Sequence, residues 1–257
     1  DDGSAFRYSG DPDAMRREVE RFSPGDVAGY ERFMAASRAI CEVAFERLGH
    51  APFGEFTDML RVLPDLVRLG GRMSVYDLVS KYIRDPRLRQ VFSFHPLLIG
   101  GNPFSATAVY ALIPHLERRW GVHCAVGGTG ALVEGLVDLI RGQGGAVRYG
   151  ADVSEILVED GAAVGVRLAG GEAIAADIVV SNADASTTLR SLLPPSAPRR
   201  WSGAKVERAR HSMSLFVWYF GTRRQFPEVG HHTIVLGPRY RELLHDIFER
   251  KVLADDF

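Results

Sequence analysis

The stretch GGTGALVEGLVDLIRGQGG, from Gly127 to Gly145, and the stretch VSEILVEDGAAVGVRL, from Val153 to Leu168, decide the fold class. The first places apolar residues every three or four positions between two groups of glycines, which predicts a helix with one apolar face. The second carries short apolar runs on either side of Asp160-Gly161, which predicts two strands joined by a tight turn. A helix followed by short strands and turns is typical of an α+β fold with an antiparallel sheet.

The sequence before this stretch predicts mainly helices. Ser23-Pro24-Gly25-Asp26 has the residues of a helix start, with Ser23 as the N-cap. Apolar residues then recur at helical spacing from Val27 to Leu48. Four shorter helices are predicted at residues 56–63, 75–83, 86–94 and 106–119, and a short strand is predicted at residues 122–126.

Further strands and a closing helix are predicted downstream. The run LFVWYF, Leu215–Phe220, has six apolar residues without alternation, which predicts a strand buried on both faces. Residues 233–236 predict its partner strand, and residues 240–248 predict a helix. Two more short strands are predicted at residues 146–149 and 173–181.

Composition and charge exclude several classes of protein. Hydrophobic residues make up 46% of the 257 residues and charged residues 25%, as in globular proteins of one or two domains. The 31 basic and 32 acidic residues nearly cancel, so there is no net charge to attract nucleic acid. Cys41 and Cys124 are far apart and form no CxxC, which indicates a reducing compartment. The eight histidines show no metal-ligand spacing, so no metal site is predicted.

The interval between Gln90 and Glu117 contains no Asp, Glu, Lys or Arg. Prolines and glycines interrupt it, which argues against a continuous membrane-spanning helix. Two interpretations stay open: a buried core segment, or an apolar surface that touches a bilayer or lines a lipid tunnel.

Three motifs with polar or glycine residues each allow two interpretations. Gly128-Thr129-Gly130 lacks the third glycine of a dinucleotide fingerprint, because Val133 stands in its place, so the motif alone favours a plain turn into a helix. Asp58 and Arg61 share a helix face, either as a surface ion pair or as charged groups at a pocket mouth. Arg239 and Arg241, the basic pair in GPRYREL, allow the same two interpretations.

Five longer motifs, in this order, resemble those of the bacterial phytoene desaturases, and the resemblance covers essentially the whole chain. They are SFHPLLIGGNPF at residues 93–104, GGTGAL at 127–132, VVSNAD at 179–184, LFVWYFG at 215–221 and GPRYREL at 237–243. The resemblance is strongest to the proteobacterial carotenoid branch of that family.

The resemblance implies an FAD-dependent oxidoreductase that desaturates phytoene or a related C40 carotene stepwise, with oxygen or a quinone as the electron acceptor. It implies a helical and antiparallel-sheet substrate domain together with part of a Rossmann-like FAD-binding domain. Residues 1–120 would form the substrate and membrane-associated region, residues 121–190 would return to the FAD-binding domain, and residues 191–257 would add substrate-domain strands and a helix. The protein would lie at the lipid surface, peripheral to the cytoplasmic side of the membrane.

The resemblance also sets expectations for this chain taken alone. Family members are considerably longer, begin with a GxGxxG turn for the FAD pyrophosphate and end with a second flavin-binding segment. This chain opens with Asp1-Asp2-Gly3 and carries neither feature. We therefore expect an interior part of such an enzyme, inactive by itself and unable to retain stoichiometric FAD.

The same resemblance assigns site residues. It gives FAD contact to Gly127, Gly128 and Val153, and it gives catalytic roles at the flavin end of a substrate tunnel to Asp58, Arg61, Arg239 and Arg241. Hydride removal from the carotene would leave an allylic cation. The Asp58 carboxylate could stabilise this cation, or it could accept the proton that the cation loses next. Arg61 would keep that carboxylate ionised.

Two other functions stay open from the sequence. One is a non-catalytic module that holds a lipid or polyene in an apolar groove. The other is a relative of amine oxidases or of retinol saturase, against which the motifs SFHPLLIGGNPF and GPRYREL argue.

Overall fold

The computed structural model describes residues 3–51, 56–197, 201, 203–209 and 211–255. The chain divides into two compact units. The helical unit comprises Asp1–His123 and Ser212–Phe257, and the sheet unit comprises Cys124–His211. No observation tests the roles expected for residues 1–120, 121–190 and 191–257, and those roles stay predictions.

The described elements are ten α-helices, six short 3₁₀- or π-helical segments and three strands. The helices are α1 Pro12–Phe22, α2 Val27–Cys41, α3 Phe56–Arg68, α4 Val75–Ser80, α5 Pro86–Ser93, α6 Ile113–Trp120, α7 Gly128–Gly142, α8 Ala185–Thr187, α9 Gly203–Glu207 and α10 Tyr240–His245. The short segments are Pro24–Asp26, Glu42–Arg47, His95–Ile99, Ala108–Leu112, Thr188–Leu192 and Asp246–Arg250. The strands are β1 Val153–Glu159, β2 Ala162–Leu168 and β3 Ala173–Ala175.

Side-chain caps fix where three helices of the helical unit begin. The carboxylate of Asp11 accepts hydrogen bonds from the first amides of α1, a helix that the sequence analysis did not predict. Ser74 caps α4 and Asp85 caps α5 in the same way. The prediction of Ser23 as an N-cap is confirmed for its position, since it is extended and directly precedes the segment Pro24–Asp26, but its side chain makes no capping hydrogen bond.

The side chain of Asp26 does not cap the helix that follows it, as expected of a helix start, but binds a distant turn of the chain. It is buried, and its two carboxylate oxygens accept hydrogen bonds from the amides of Arg84 and Asp85, each at 2.8 Å. It therefore ties the start of α2 to the turn before α5. Gly29 allows α2 to lie close to the chain at Tyr82, because a Cβ at position 29 would clash with the carbonyl oxygen of Tyr82.

The core of the helical unit forms around the aromatic ring of Phe92. This ring lies 5.3 Å from the ring of Tyr30 and 5.7 Å from that of Phe33, and it is fully buried. Ala108 and Ala111 are buried in the same cluster. For these residues, the interpretation of the uncharged interval as a core segment is confirmed.

The same interval also has an exposed part, because Leu98 and Ile99 are largely exposed. In the described part of the chain, no helix combines the length and the apolar character that crossing a membrane requires.

The sheet unit has α7 followed by a three-stranded antiparallel sheet in the order β1-β2-β3. Asp160 and Gly161 both have positive φ, 48° and 82°, and make the tight turn between β1 and β2. Gly165 lets β3 approach closely, since a Cβ there would clash with the carbonyl of Ile174. The α+β class and the antiparallel sheet are confirmed, whereas a Rossmann-like part stays a prediction.

Several predicted strands are wrong for the described residues. Residues 122–126, 146–149, 215–220 and 233–236 contain no strand, and the strand predicted at 173–181 is limited to Ala173–Ala175. The strands expected within 191–257 are thus absent from the described part of that range, although α10 and the segment after it match the helix predicted at 240–248. An apolar run forms a strand only where a neighbouring chain accepts and donates its backbone hydrogen bonds.

Candidate functional site

Two of the sequence motifs meet at an open pocket of about 590 Å³ in the helical unit. One wall comes from the end of SFHPLLIGGNPF and the residue after it, and the other from GPRYREL and the turn that follows α10. The lining residues are Asn102, Phe104, Ser105, Arg239, Arg241, Glu242, His245, Asp246, Glu249 and Arg250. Charged side chains dominate this lining.

The first wall is held by backbone and ring contacts. The side-chain oxygen of Asn102 accepts a hydrogen bond from the amide of Phe104 at 3.0 Å, which closes a local turn. The amide of Tyr76 in α4 donates to the carbonyl of Pro103 at 3.1 Å. The ring of Phe104 packs on that of Tyr76 with the centroids 4.6 Å apart. Phe104 therefore presents a fixed aromatic surface.

Asp246 organises the second wall. Its buried carboxylate accepts hydrogen bonds from Arg239 at 3.1 Å and from Arg250 at 2.9 Å. A buried carboxylate that pairs with two guanidinium groups is fully compensated and fixes both of them. Arg239, a predicted site residue, thus lies in the pocket wall with its charge directed to Asp246.

Arg241, the other predicted basic residue, is positioned differently. Its guanidinium carbon lies 3.9 Å from the ring centroid of Phe104 and 5.1 Å from that of Tyr76. These are cation–π contacts, which hold the planar group while its N–H donors stay available. In the described part of the chain, no carboxylate forms an ion pair with Arg241. The neighbouring Tyr240 is buried, and burial raises its pKa to about 12.

Asp58 and Arg61 lie on α3 and do not belong to the described lining of this pocket. Their closest N–O distance is 3.6 Å, and their side chains are 30% and 80% exposed, respectively. Such an exposed pair contributes about 0–1 kcal/mol to stability. The structure therefore brings Arg239 and Arg241 together, but not with Asp58 and Arg61. The catalytic roles of all four stay predictions.

The three residues assigned to FAD contact lie in the sheet unit. Gly127 and Gly128 have φ of 83° and 82°, and a Cβ at Gly128 would meet no atom within 4 Å. A glycine turn with open space before a fifteen-residue helix fits the close approach of a negatively charged cofactor group. Val153 begins β1 opposite Leu168 and is partly buried. The cofactor assignment stays a prediction that this backbone geometry fits.

The sequence analysis missed a polar cluster behind the first motif. His95 is buried, and its Nε2 donates to the carboxylate of Glu117 at 3.2 Å, while the hydroxyl of Tyr8 donates to the same carboxylate. Burial raises the pKa of Glu117, but the hydrogen bonds from His95 and Tyr8 outweigh it, so the pKa lies below its usual value. No local spacing links these three residues, which is why a sequence pattern could not find them.

A second missed feature was visible in the sequence. Glu242, Asp246 and Glu249 recur at spacings of four and three, so a helix places them on one face beside Arg239. No group of three or more His, Cys, Asp or Glu residues in the described ranges has the arrangement of a metal site.

Comparisons with known proteins identify the family. Residues 7–250 match the flavin-containing amine oxidoreductases. The chain is 47% identical over 258 residues to the neurosporene-forming phytoene desaturase of Cereibacter sphaeroides, covering 99% of this chain and 50% of that protein. It is 46% identical over 255 residues to the lycopene-forming phytoene desaturase of Pseudescherichia vulneris, covering 99% and 52%. It is 34% identical over 256 residues to the zeta-carotene-forming phytoene desaturase of Myxococcus xanthus, covering 99% and 49%. The chain spans about half the length of these curated relatives.

Proposed function

This chain belongs to the flavin-containing amine oxidoreductase family, and we propose that it serves the FAD-dependent, stepwise desaturation of phytoene or a related C40 carotene in carotenoid biosynthesis. The observation that carries the proposal is the 47% identity to a phytoene desaturase over 99% of the chain. The relatives are named for different end products, so the proposal concerns the reaction and not the number of steps.

In this proposal the sheet unit contacts the cofactor as part of a Rossmann-like FAD-binding domain. Gly127 and Gly128 would offer their backbone to FAD, with open space around Gly128, and Val153 would offer an apolar contact. FAD, when bound, accepts a hydride from the carotene.

The charged residues of the helical unit would act on the substrate side. Asp58 would stabilise positive charge on the carotene or accept the proton that leaves next, and Arg61, paired with it at 3.6 Å, would position that carboxylate. Arg239 and Arg241 would complete the charged boundary of the site, Arg239 fixed by Asp246 and Arg241 fixed by Phe104. Such charges act most strongly where water is excluded.

The substrate and the setting are part of the same proposal. A C40 hydrocarbon dissolves in lipid, so we place the protein at the cytoplasmic surface of a membrane, with oxygen or a quinone as the electron acceptor. The exposed apolar side chains of Leu98 and Ile99 support contact with lipid, because they expose apolar surface on a short turn.

The test is a chimera in which this chain replaces the matching half of the Cereibacter sphaeroides phytoene desaturase. Incubated with phytoene in liposomes, it is expected to bind FAD and to form carotenes with a longer conjugated system, detected by absorbance. The purified 257-residue chain is measured beside it, and we expect less than one equivalent of flavin. A chimera that folds and binds FAD but leaves phytoene unchanged would contradict the proposed reaction.

The role of Asp58 is tested in the same chimera. Asp58→Asn is expected to slow desaturation by about 10²-fold or more, since it removes the proposed base. The matched control is Asp65→Asn, which removes a carboxylate from the same helix that pairs with Arg47. Equal rates for Asp58→Asn and the unchanged chimera, with equal FAD content, would remove Asp58 from the mechanism.

A second candidate function is a non-catalytic module that binds a lipid or polyene. The observation that favours it is the exposure of all six side chains in Leu215–Phe220, an uncharged apolar run. Under this function the isolated chain binds carotene without flavin, and the chimera does not desaturate. Product formation by the chimera decides between the two functions.

A further inference from the structure

We propose that the pocket in the helical unit binds a zwitterionic phosphoamine, with its phosphate at Arg241 and its ammonium group at Glu242. The ligand class is a phosphate ester joined to an amine by a short linker, as in phosphoethanolamine. The proposal does not depend on the flavin reaction, since it concerns binding alone and is measured without turnover.

The phosphate end follows from the state of Arg241. Its guanidinium carbon lies 3.9 Å from the ring centroid of Phe104, and the group is paired with no carboxylate in the described ranges. A stacked guanidinium keeps its fork of N–H donors in place and loses little freedom when an oxyanion binds. The other two arginines of the lining are already joined to Asp246, so Arg241 is the cation that a ligand reaches first.

The ammonium end follows from the charge balance of the lining. Three arginines stand against three carboxylates, those of Glu242, Asp246 and Glu249. A simple anion at Arg241 would be repelled by Glu242, for which the described part of the chain provides no ion pair. A simple cation at Glu242 would be repelled by Arg241. A ligand that carries both charges compensates both side chains at once.

Arg241 and Glu242 are consecutive residues of α10, and both side chains line the pocket. Because consecutive side chains of a helix point in different directions, it is the shared pocket that brings both within reach of one ligand.

Exposed apolar side chains precede the first wall of the pocket in the chain. Leu98 and Ile99 are exposed at the end of the segment His95–Ile99, and Asn102 of the lining follows them after two glycines. Exposed apolar side chains this close in sequence to the pocket lining fit a lipid headgroup as the source of the ligand. A free phosphoamine shares the same chemistry, and the experiment separates the two sources.

The test uses the 257-residue chain and O-phosphoethanolamine, titrated by calorimetry, with inorganic phosphate and ethanolamine as separate probes. We expect O-phosphoethanolamine to bind at least severalfold more tightly than either single-charge probe. Arg241→Gln and Glu242→Gln are each expected to weaken binding by about tenfold. Arg72→Gln, which changes an exposed arginine outside the lining, is the matched control and should leave binding unchanged.

Vesicles then identify the source. Preferential binding of the chain to vesicles containing phosphatidylethanolamine over pure phosphatidylglycerol, whose headgroup has no ammonium group, supports a lipid headgroup if Arg241→Gln abolishes it. Binding of free O-phosphoethanolamine without this preference supports a soluble ligand. The proposal is overturned if O-phosphoethanolamine binds no better than phosphate, or if Arg241→Gln binds like Arg72→Gln while both variants keep the circular dichroism spectrum of the unchanged chain.

Discussion

Two stretches of the helical unit lack Asp, Glu, Lys and Arg, yet their side chains have opposite surroundings. In residues 91–116, Phe92, Ala108 and Ala111 are buried in the core. In residues 212–222, Phe216 is 94% exposed, and its neighbours in the run are exposed as well. The first stretch lies mostly in helical segments and turns, whereas the second has no regular secondary structure and no strand partner among the described residues. Apolar composition alone therefore does not determine burial, because the backbone must also be satisfied.

The largest test of this difference removes one aromatic ring from each stretch. Phe92→Ala is expected to lower the free energy of unfolding by about 3–5 kcal/mol, because it leaves a cavity among the packed rings of the core. Phe216→Ala removes the same atoms from an exposed position and should change it by less than about 0.5 kcal/mol. Urea denaturation followed by circular dichroism measures both. Similar losses for the two variants would show that Phe216 is buried in solution.

The next effect concerns a polar group in the same core. Asp26→Asn replaces one of two carboxylate oxygens that accept hydrogen bonds from the amides of Arg84 and Asp85. An amide nitrogen facing a backbone N–H leaves that donor unsatisfied, so a loss of about 1–3 kcal/mol is expected. Asp13→Asn, at an exposed position of α1, serves as the control in the same urea titration. Equal stability of the two variants would mean that Asp26 does not hold the turn before α5.

A smaller effect, with a defined pH dependence, is expected at Glu117. The pKa of this carboxyl lies below its ordinary value of 4.5, so the ionised group adds stability above about pH 4.5 and loses it as the pH falls through the folded-state pKa. Glu117→Gln is expected to cost about 1–2 kcal/mol at pH 7. The difference from the unchanged chain should shrink as the pH falls below 4.5.

The control for Glu117 is Glu20→Gln, which changes the same charge at an exposed position. Thermal unfolding is followed from pH 7 to pH 3 for both variants. A difference that stays constant across this range would exclude the ionised Glu117 as the cause.

The contrast also shows which features the sequence could predict. Helix α7 and the hairpin of β1 and β2 were predicted because their periods, glycines and turn residues are local. The strand predicted at residues 215–220 was wrong because its existence depends on a partner elsewhere. In the candidate site, the motifs containing Asn102 and Arg241 were recognised, but their meeting in one pocket was not, since it depends on how distant helices pack. The contact between His95 and Glu117 was not predicted for the same reason.

The smallest effect is spectroscopic and tests the exposed stretch directly. Trp218 is 73% exposed, compared with 47% for Trp120 and 43% for Trp201. Trp218→Gln should therefore shift the tryptophan emission of the chain to shorter wavelength, because the most solvated of the three indoles is removed, while the free energy of unfolding changes by less than about 0.5 kcal/mol. Trp120→Gln is the comparison and should shift the emission the other way, since it leaves Trp218 to dominate. A shift to longer wavelength for Trp218→Gln would mean that this run is covered in solution, and the two uncharged stretches would then share the same surroundings.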